Sequence, residues 1–181
     1  FADKSKNITL NNVAQHFNYA LAFVAQNTEN ITLNGLTFAP DRKTGRLMAS
    51  LADFLQICMC RGTVSIENSH FEGACDDCLN VHGVHFKIDD IIDNKITVKF
   101  MHPQTHGYNP VRKGDEIAFI DKKSLLEVGK TTVLSSRLIG EYHIELEVDS
   151  TEKAVLGDVI ENISACPDIY FKNNTVNRIA T

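Results

Sequence analysis

Between Ala74 and Gly83 the chain reads A-C-D-D-C-L-N-V-H-G, with adjacent carboxylates at Asp76 and Asp77 and a histidine at position 82. A third carboxylate, Asp53, lies 23 residues before Asp76. Like charges brought together raise the pKa of at least one member and keep it protonated near neutrality. A protonated acid beside an ionised base is the pair that cleaves a glycosidic bond: one protonates the leaving oxygen, the other activates water. With water between them, the two carboxyls stand roughly 6.5–9.5 Å apart and the product is inverted. The same residues allow two other readings, a calcium site built from oxygen ligands or an acidic turn. The chain carries no G-G-x-G-x-D calcium repeat, and the catalytic reading is preferred. His82 suits a hydrogen bond to a carboxylate or a sugar hydroxyl, or a structural role at a chain corner. His102 and His106 are spaced like metal ligands, but Pro103 argues against a helix there, so a simple loop is expected.

These residues need a scaffold, and an internal repeat supplies one. Asn7–Val13 (N-I-T-L-N-N-V) recurs as Asn30–Leu36, again as Thr63–Ser69, and as Asp168–Asn174. Ile8/Leu10, Ile31/Leu33, Val64/Ile66 and Ile169/Phe171 alternate with polar residues, the period of a strand with one buried face. Asn12, Gly35, Asn68 and Asn173 follow each strand, and Asn and Gly adopt a left-handed backbone at least cost. The expected fold is all-β: a right-handed parallel β-helix of about four coils, each near 23 residues. Ten extra residues between the second and third copies are assigned to the loop 39–46. The long gap before the fourth copy holds an insertion, in which Lys95–Met101, Asp115–Asp121, Thr131–Ser135 and Tyr142–Asp149 alternate like antiparallel strands. The expected organisation is therefore coils over 1–83, an antiparallel barrel or sandwich over 84–158, and a return to the coils over 159–181. The 23-residue period predicts that Asp53 and Asp76 are equivalent on neighbouring coils, about 4.8 Å apart along the stack. Asp76 and Asp77 face one cleft only if the backbone bends, and Gly73 provides for that.

Net charge is −5, and basic residues occur in nothing larger than pairs, which argues against nucleic acid and anionic membrane partners. No apolar run approaches the roughly 18 residues of a membrane span. Trp is absent, so a flat stacking surface for sugars is not expected. The five cysteines do not suggest a disulfide framework. Cys58-x-Cys60 with Cys75-x-x-Cys78 superficially resembles a zinc ribbon, but buried thiols, with Cys58 and Cys60 on one face of a strand, are preferred. Asn7, Asn30, Asn162 and Asn173 head glycosylation sequons, two of which the strand repeat already explains. The abrupt start and finish are those expected of a piece of a longer protein, and the first residues show no signal pattern.

Taken in order, Ala52-Asp53, Arg61-Gly62-x-Val64-x-Ile66-x-Asn68-x-x-Phe71 and Asp76-Asp77-x-x-Asn80-Val81-His82-Gly83 resemble the α-1,3-galactosidases of glycoside hydrolase family 110. Phe100-x-His102-x-Gln104-x-x-Gly107, Gly114-Asp115-x-Ile117-x-Phe119 and Asp158-Val-Ile-Glu-Asn162 extend the resemblance over nearly the whole chain. It implies a parallel β-helix with inserted barrels, and inverting hydrolysis of terminal α-1,3-linked galactose without a metal or other cofactor. The implied partner is a galactose-terminated glycan, met in a secreted or periplasmic setting. Asp53, Asp76 and Asp77 then form the acid/base set, and His82, Glu161, Asn80 and Gln56 are candidates for holding sugar hydroxyls, Glu161 by re-entering the helix beside the site. Family members tend to carry Gly where this chain has Phe54, whose ring is expected to narrow the cleft. The family's enzymes are much longer, so the fragment alone is expected to bind or cleave poorly. A polygalacturonase-like pectinase has a similar acid pattern, but no basic cluster is evident here to hold galacturonate. A non-catalytic carbohydrate-binding or adhesion module is the other alternative.

Overall fold

The computed structural model describes residues 1–180. Its regular structure is β, apart from one 3-10 turn at Arg42–Thr44. It divides into two compact units, one made from Phe1–His82 and the segment after Cys166, the other from Gly83–Cys166.

In the first unit the chain visits three sheets in rotation. Its strands are Ala2–Asp3 (β1), Lys6–Asn11 (β2), Ala14–Gln15 (β3), Phe23–Gln26 (β4), Glu29–Asn34 (β5), Thr37–Phe38 (β6), Leu55–Cys58 (β7), Arg61–Glu67 (β8), His70–Glu72 (β9) and Leu79–His82 (β10). The second unit contributes β11 to β16: Phe86–Ile92, Lys95–Phe100, Glu116–Ile120, Glu127–Leu138, His143–Val148 and Val159–Asn162. Asp168–Lys172 (β17) and Thr175–Asn177 (β18) then rejoin the first unit. The three parallel sheets have four strands each, ordered β1-β4-β7-β10, β17-β8-β5-β2 and β18-β9-β6-β3.

Register follows the apolar alternation. Ile8, Ile31, Val64 and Ile169 are level with one another, as are Leu10, Leu33, Ile66 and Phe171. Phe38, Phe54 and Phe71 form a mutual ring cluster with centroids 5.8–5.9 Å apart. Each fully buried side chain of this size contributes about 1.5–3 kcal/mol. The residues expected to bend do so: Asn12, Gly35, Asn68 and Asn173 have φ of 53°, 66°, 52° and 53°. Their amides also bond along the stack, Asn68 Nδ2 to Asn34 Oδ1 at 2.8 Å and Asn173 Nδ2 to Asn68 Oδ1 at 3.4 Å.

Two further left-handed rows were not evident from the sequence. Asn7, Asn30 and Gly62 (φ 58°, 56° and 64°) form one, and Lys4, Asn27 and Met59 (47°, 49° and 52°) the other. Lys and Met have no special tolerance for this conformation, which is why the second row gave no signal. Met59 bends the chain between Cys58 and Cys60, so these two do not share a strand face as expected; Cys60 joins the core. The ten extra residues lie between β6 and β7, where Asp41 caps the 3-10 turn and Gly45 closes it at φ 72°.

The second unit is a closed antiparallel barrel, β11-β12-β15-β14-β13-β16. Ile144, Leu146 and Val148 on β15, and Ile96, Val98 and Phe100 on β12, fill its interior. The four anticipated strands correspond to β12, β13, β14 and β15. β11 escaped notice because a bulge between Ile88 and Asp90 breaks its alternation. The expected return to the coils at residue 159 is corrected: β16 pairs with both β11 and β13 and closes the barrel, and parallel pairing resumes only at Asp168. Asp158 and Asn162 serve this barrel, Asp158 Oδ1 accepting from Lys122 N at 3.4 Å and Asn162 Nδ2 donating to Asp115 Oδ2 at 2.7 Å. Asn162 is buried, so its sequon offers no surface amide. Among the described residues no helix is long and apolar enough to cross a membrane.

A Cβ at Gly62 would collide with Oδ1 of Asn30, at a φ that L residues rarely adopt. Gly62→Ala is expected to cost at least about 1–2 kcal/mol, read as a lower urea midpoint with unchanged slope.

Candidate functional site

β7 and β10 are parallel neighbours, with Leu55, Gln56, Ile57 and Cys58 level with Leu79, Asn80, Val81 and His82. Ahead of these strands, Ser50 is bridged to Ala74. Both pairings share one offset, 79 − 55 = 74 − 50 = 24, so Asp53 is level with Asp77. This corrects the expected equivalence of Asp53 with Asp76. The register is decided by where Leu55 and Ile57 meet the next strand, not by the repeat length between Asn7 and Asn30.

The three carboxylates nonetheless meet: one oxygen from each of Asp53, Asp76 and Asp77 lies within 4.8 Å of the others. Ala74–Cys78 lies outside the regular strands, which releases the adjacent aspartates from strict alternation of faces. The Asp77 N–H donates to Asp76 Oδ1 at 3.1 Å, a contact between chain neighbours. Asp53 is only 5% exposed, whereas Asp76 and Asp77 face solvent. Burial pushes the Asp53 carboxyl above its usual range; the Asn80 amide, donating to Oδ2 at 3.1 Å, opposes this, and the charges of Asp76 and Asp77 reinforce it. The cluster thus combines a buried carboxyl whose pKa is raised with two water-facing carboxylates.

Asn80 and Gln56 sit side by side on the paired strands. Gln56 Nε2 is 2.9 Å from His82 Nε2; with the amide as donor, this ring nitrogen accepts. Gln56, Asn80 and His82 therefore lie along the same strand pair that follows the three acids. Glu161 does not re-enter the parallel sheets: it lies on β16 in the barrel unit, level with Ala118. Phe54 is also corrected. It is fully buried in the core between Phe38 and Phe71, at the bend just before β7, and it does not border a cleft.

A cation with oxygen ligands at about 2.3–2.6 Å tolerates the observed oxygen spacing. Among the described residues this is the one cluster of three or more His, Cys, Asp or Glu groups with ligand-like spacing. The cysteines form no such cluster and no disulfide. Burial pushes the Cys60 thiol up to about 11 and Cys78 up to about 12, away from the thiolate a metal requires. His102 and His106 lie in the loop after β12, where His102 Nδ1 accepts from Gln104 N at 3.2 Å and the His106 ring lies tilted against Tyr142, centroids 4.3 Å apart.

One charged cluster had no linear signal. Glu72 is reached by Arg178 Nη2 at 2.6 Å, His70 Nε2 at 3.1 Å and Arg42 Nη2 at 3.4 Å. The His70 hydrogen bond, followed by the two guanidinium charges, holds its carboxyl below the usual range despite burial. A basic cluster not evident in the sequence is thus assembled from the 39–46 loop and the end of β18, where Asn177 is level with Glu72.

Residues 95–160 match the family described as GLAA-B beta-barrel domain II. Over its whole length the chain is 38% identical to alpha-1,3-galactosidase A of Bacteroides thetaiotaomicron, of which it covers 33%. It is 34% identical to alpha-1,3-galactosidase A of Akkermansia muciniphila, again over the whole chain and 31% of that protein. Against alpha-1,3-galactosidase B of Phocaeicola vulgatus the identity is 32% over 97% of the chain and 31% of the relative. The chain spans about a third of the length of the curated relatives it matches. The likeness to the α-1,3-galactosidases of glycoside hydrolase family 110 holds along the whole chain.

Because burial and two neighbouring charges raise the folded-state pKa of Asp53 above its unfolded value, the native state binds the proton more tightly, and stability falls as pH rises between the two values. Asp53→Asn is expected to raise the melting temperature near neutrality. The gain should shrink as pH falls through the Asp range and disappear below about pH 3, where wild-type Asp53 is protonated in both states. Melting curves of both proteins across this range check the sign.

Proposed function

We propose that this chain is the part of a glycoside hydrolase that carries its carboxylate site, and that the parent removes terminal α-1,3-linked galactose from glycans. The convergence of Asp53, Asp76 and Asp77 carries this reading, and the names of the relatives supply the sugar and linkage. The three parallel sheets are read as walls of a right-handed parallel β-helix, visited in rotation by the chain.

In the proposed reaction Asp53, the carboxyl that burial raises above its usual range, donates its proton to the glycosidic oxygen as the bond from that oxygen to the anomeric carbon breaks. One of the exposed pair, Asp76 or Asp77, takes a proton from a water whose oxygen bonds to the anomeric carbon. Carboxylate oxygens within 4.8 Å of one another leave room for one shared water at ordinary hydrogen-bond length. This spacing, measured between single oxygens, is tighter than the usual carboxyl separation of inverting pairs, about 6.5–9.5 Å. Inversion is therefore proposed from the family resemblance, with the shared water as nucleophile. Asn80 tunes Asp53, and Gln56 and His82 hold sugar hydroxyls beside it. Glu161, which lies on β16 of the barrel unit and not in the parallel sheets, is given no part in this reaction. Such a role suits a secreted or periplasmic enzyme.

A second reading, a carbohydrate-binding module without catalysis of its own, is favoured by the one-third coverage of the relatives. Single Asp53→Asn, Asp76→Asn and Asp77→Asn substitutions in the full-length parent separate the two. The enzyme reading expects kcat losses of about 10²–10⁴-fold for the acid and the base, with small changes in KM. Full activity in all three variants would overturn it. Assays of α-1,3-galactosides beside polygalacturonate test the pectinase alternative, which release of galacturonate alone would establish. Proton NMR of the first-formed sugar should show β-galactose; α-galactose would mean retention. Activity should survive exhaustive chelation, whereas loss restored by calcium would reassign the triad as a metal site.

A further inference from the structure

Arg42, Arg46 and Arg178 converge with Glu72, Gly45 and Leu47 around a cavity of about 210 Å³. Three arginines and a single carboxylate line it, in a chain whose overall charge is −5. Arg42 and Arg178 each reach Glu72 through Nη2. Arg46 instead lies over the Phe17 ring, 4.2 Å from its centroid, a contact that fixes the guanidinium without neutralising it. The site therefore keeps an excess of positive charge, in the planar donor geometry that pairs with carboxylate and sulfate oxygens.

The segments that line it run on to the acid cluster. Leu47 precedes Asp53 in the chain and Glu72 precedes Asp76. Gly73 O accepts from Ala49 N at 2.8 Å, and Cys75 N donates to Ser50 O at 3.1 Å, which ties the two approaches together. Four residues of fully extended chain reach at most about 14 Å, so Glu72 and Asp76 lie within the span of one bound oligosaccharide. The cavity is smaller than a typical drug-sized ligand site of about 300–1,000 Å³, and so suits a substituent rather than a whole glycan.

We propose that this arginine-lined cavity is a subsite for an anionic substituent, a carboxylate or sulfate ester, on the glycan that enters the carboxylate site. The proposal rests on the reading of that site as glycan-directed. Glu72 holds Arg42 and Arg178 in place, and Phe17 holds Arg46, so the guanidinium groups are arranged before the anion arrives.

Calorimetric titration of the full-length parent with galactose, galacturonate, galactose 6-sulfate and inorganic sulfate tests this. At low salt at least one charged sugar is expected to bind about tenfold or more tightly than galactose. Added salt should weaken that preference, and Arg46→Gln, Arg42→Gln and the double variant should progressively erase it. Both arginines are exposed, and a melting curve for each variant confirms that it is folded. Galacturonate and galactose 6-sulfate distinguish the two sources of the anion; inorganic sulfate shows whether the anion suffices without the sugar. Equal affinity for neutral and charged sugars, or a charged-sugar preference that survives the double variant, would overturn the proposal. The same titration in the Asp77→Asn parent keeps the questions apart: anion preference there does not depend on hydrolysis, and loss of hydrolysis does not depend on the arginines.

Discussion

The pairing of β7 with β10 is the constraint on which the carboxylate site depends. Leu55 and Ile57 point inward, and Leu79 packs against the same core. A slip of one residue would turn an entire face of the strand outward. Two unit charges 4.8 Å apart repel by about 1–3.5 kcal/mol at effective dielectrics between those of water and a protein surface. Burial of Leu55 and Ile57 contributes about 1.5–3 kcal/mol each in the other direction. The apolar rows therefore hold the acids together against their repulsion, and the aspartates need no attraction of their own to meet.

Within this frame the three acids are not equivalent. Asp53 is enclosed and tied to Asn80, while Asp76 and Asp77 occupy an irregular segment open to water. Adjacency in sequence brings the second and third together, and the ladder brings the first. Gln56 and His82 are joined on the same strand pair, so the polar groups beyond the acids are also held before any ligand arrives.

Much of this was legible in the sequence because it rested on strong local chemistry. Asn12, Gly35, Asn68 and Asn173 announced their bends, and the Ile/Leu alternation announced the rows between them. The gathering of Asp53 with Asp76 and Asp77 was legible too, although the level partner of Asp53 proved to be Asp77. That error arose because the 23-residue spacing of Asn7 and Asn30 describes only the first pair of repeats. Other features were hidden for physical reasons. Phe54 follows a polar residue at the cleft yet points into the core, because it sits in a bend before β7 where regular alternation does not apply. β16 looks like any short apolar strand, and only closure of the barrel decides which partner it takes. Arg42 and Arg178 are brought to Glu72 by tertiary structure alone.

The first unit is interrupted in an instructive place. β17 pairs with β8, and Asn174 Oδ1 accepts from Ser69 N at 2.9 Å across a separation of 105 residues. A ribosome emitting this chain delivers β1 to β10 first, then every strand of the barrel, and only afterwards the segment that covers β8. The barrel, whose strands are contiguous in the chain, can form while β8 still waits with its outer edge unsatisfied. During that interval the open edge of β8 is a ready template for foreign strands.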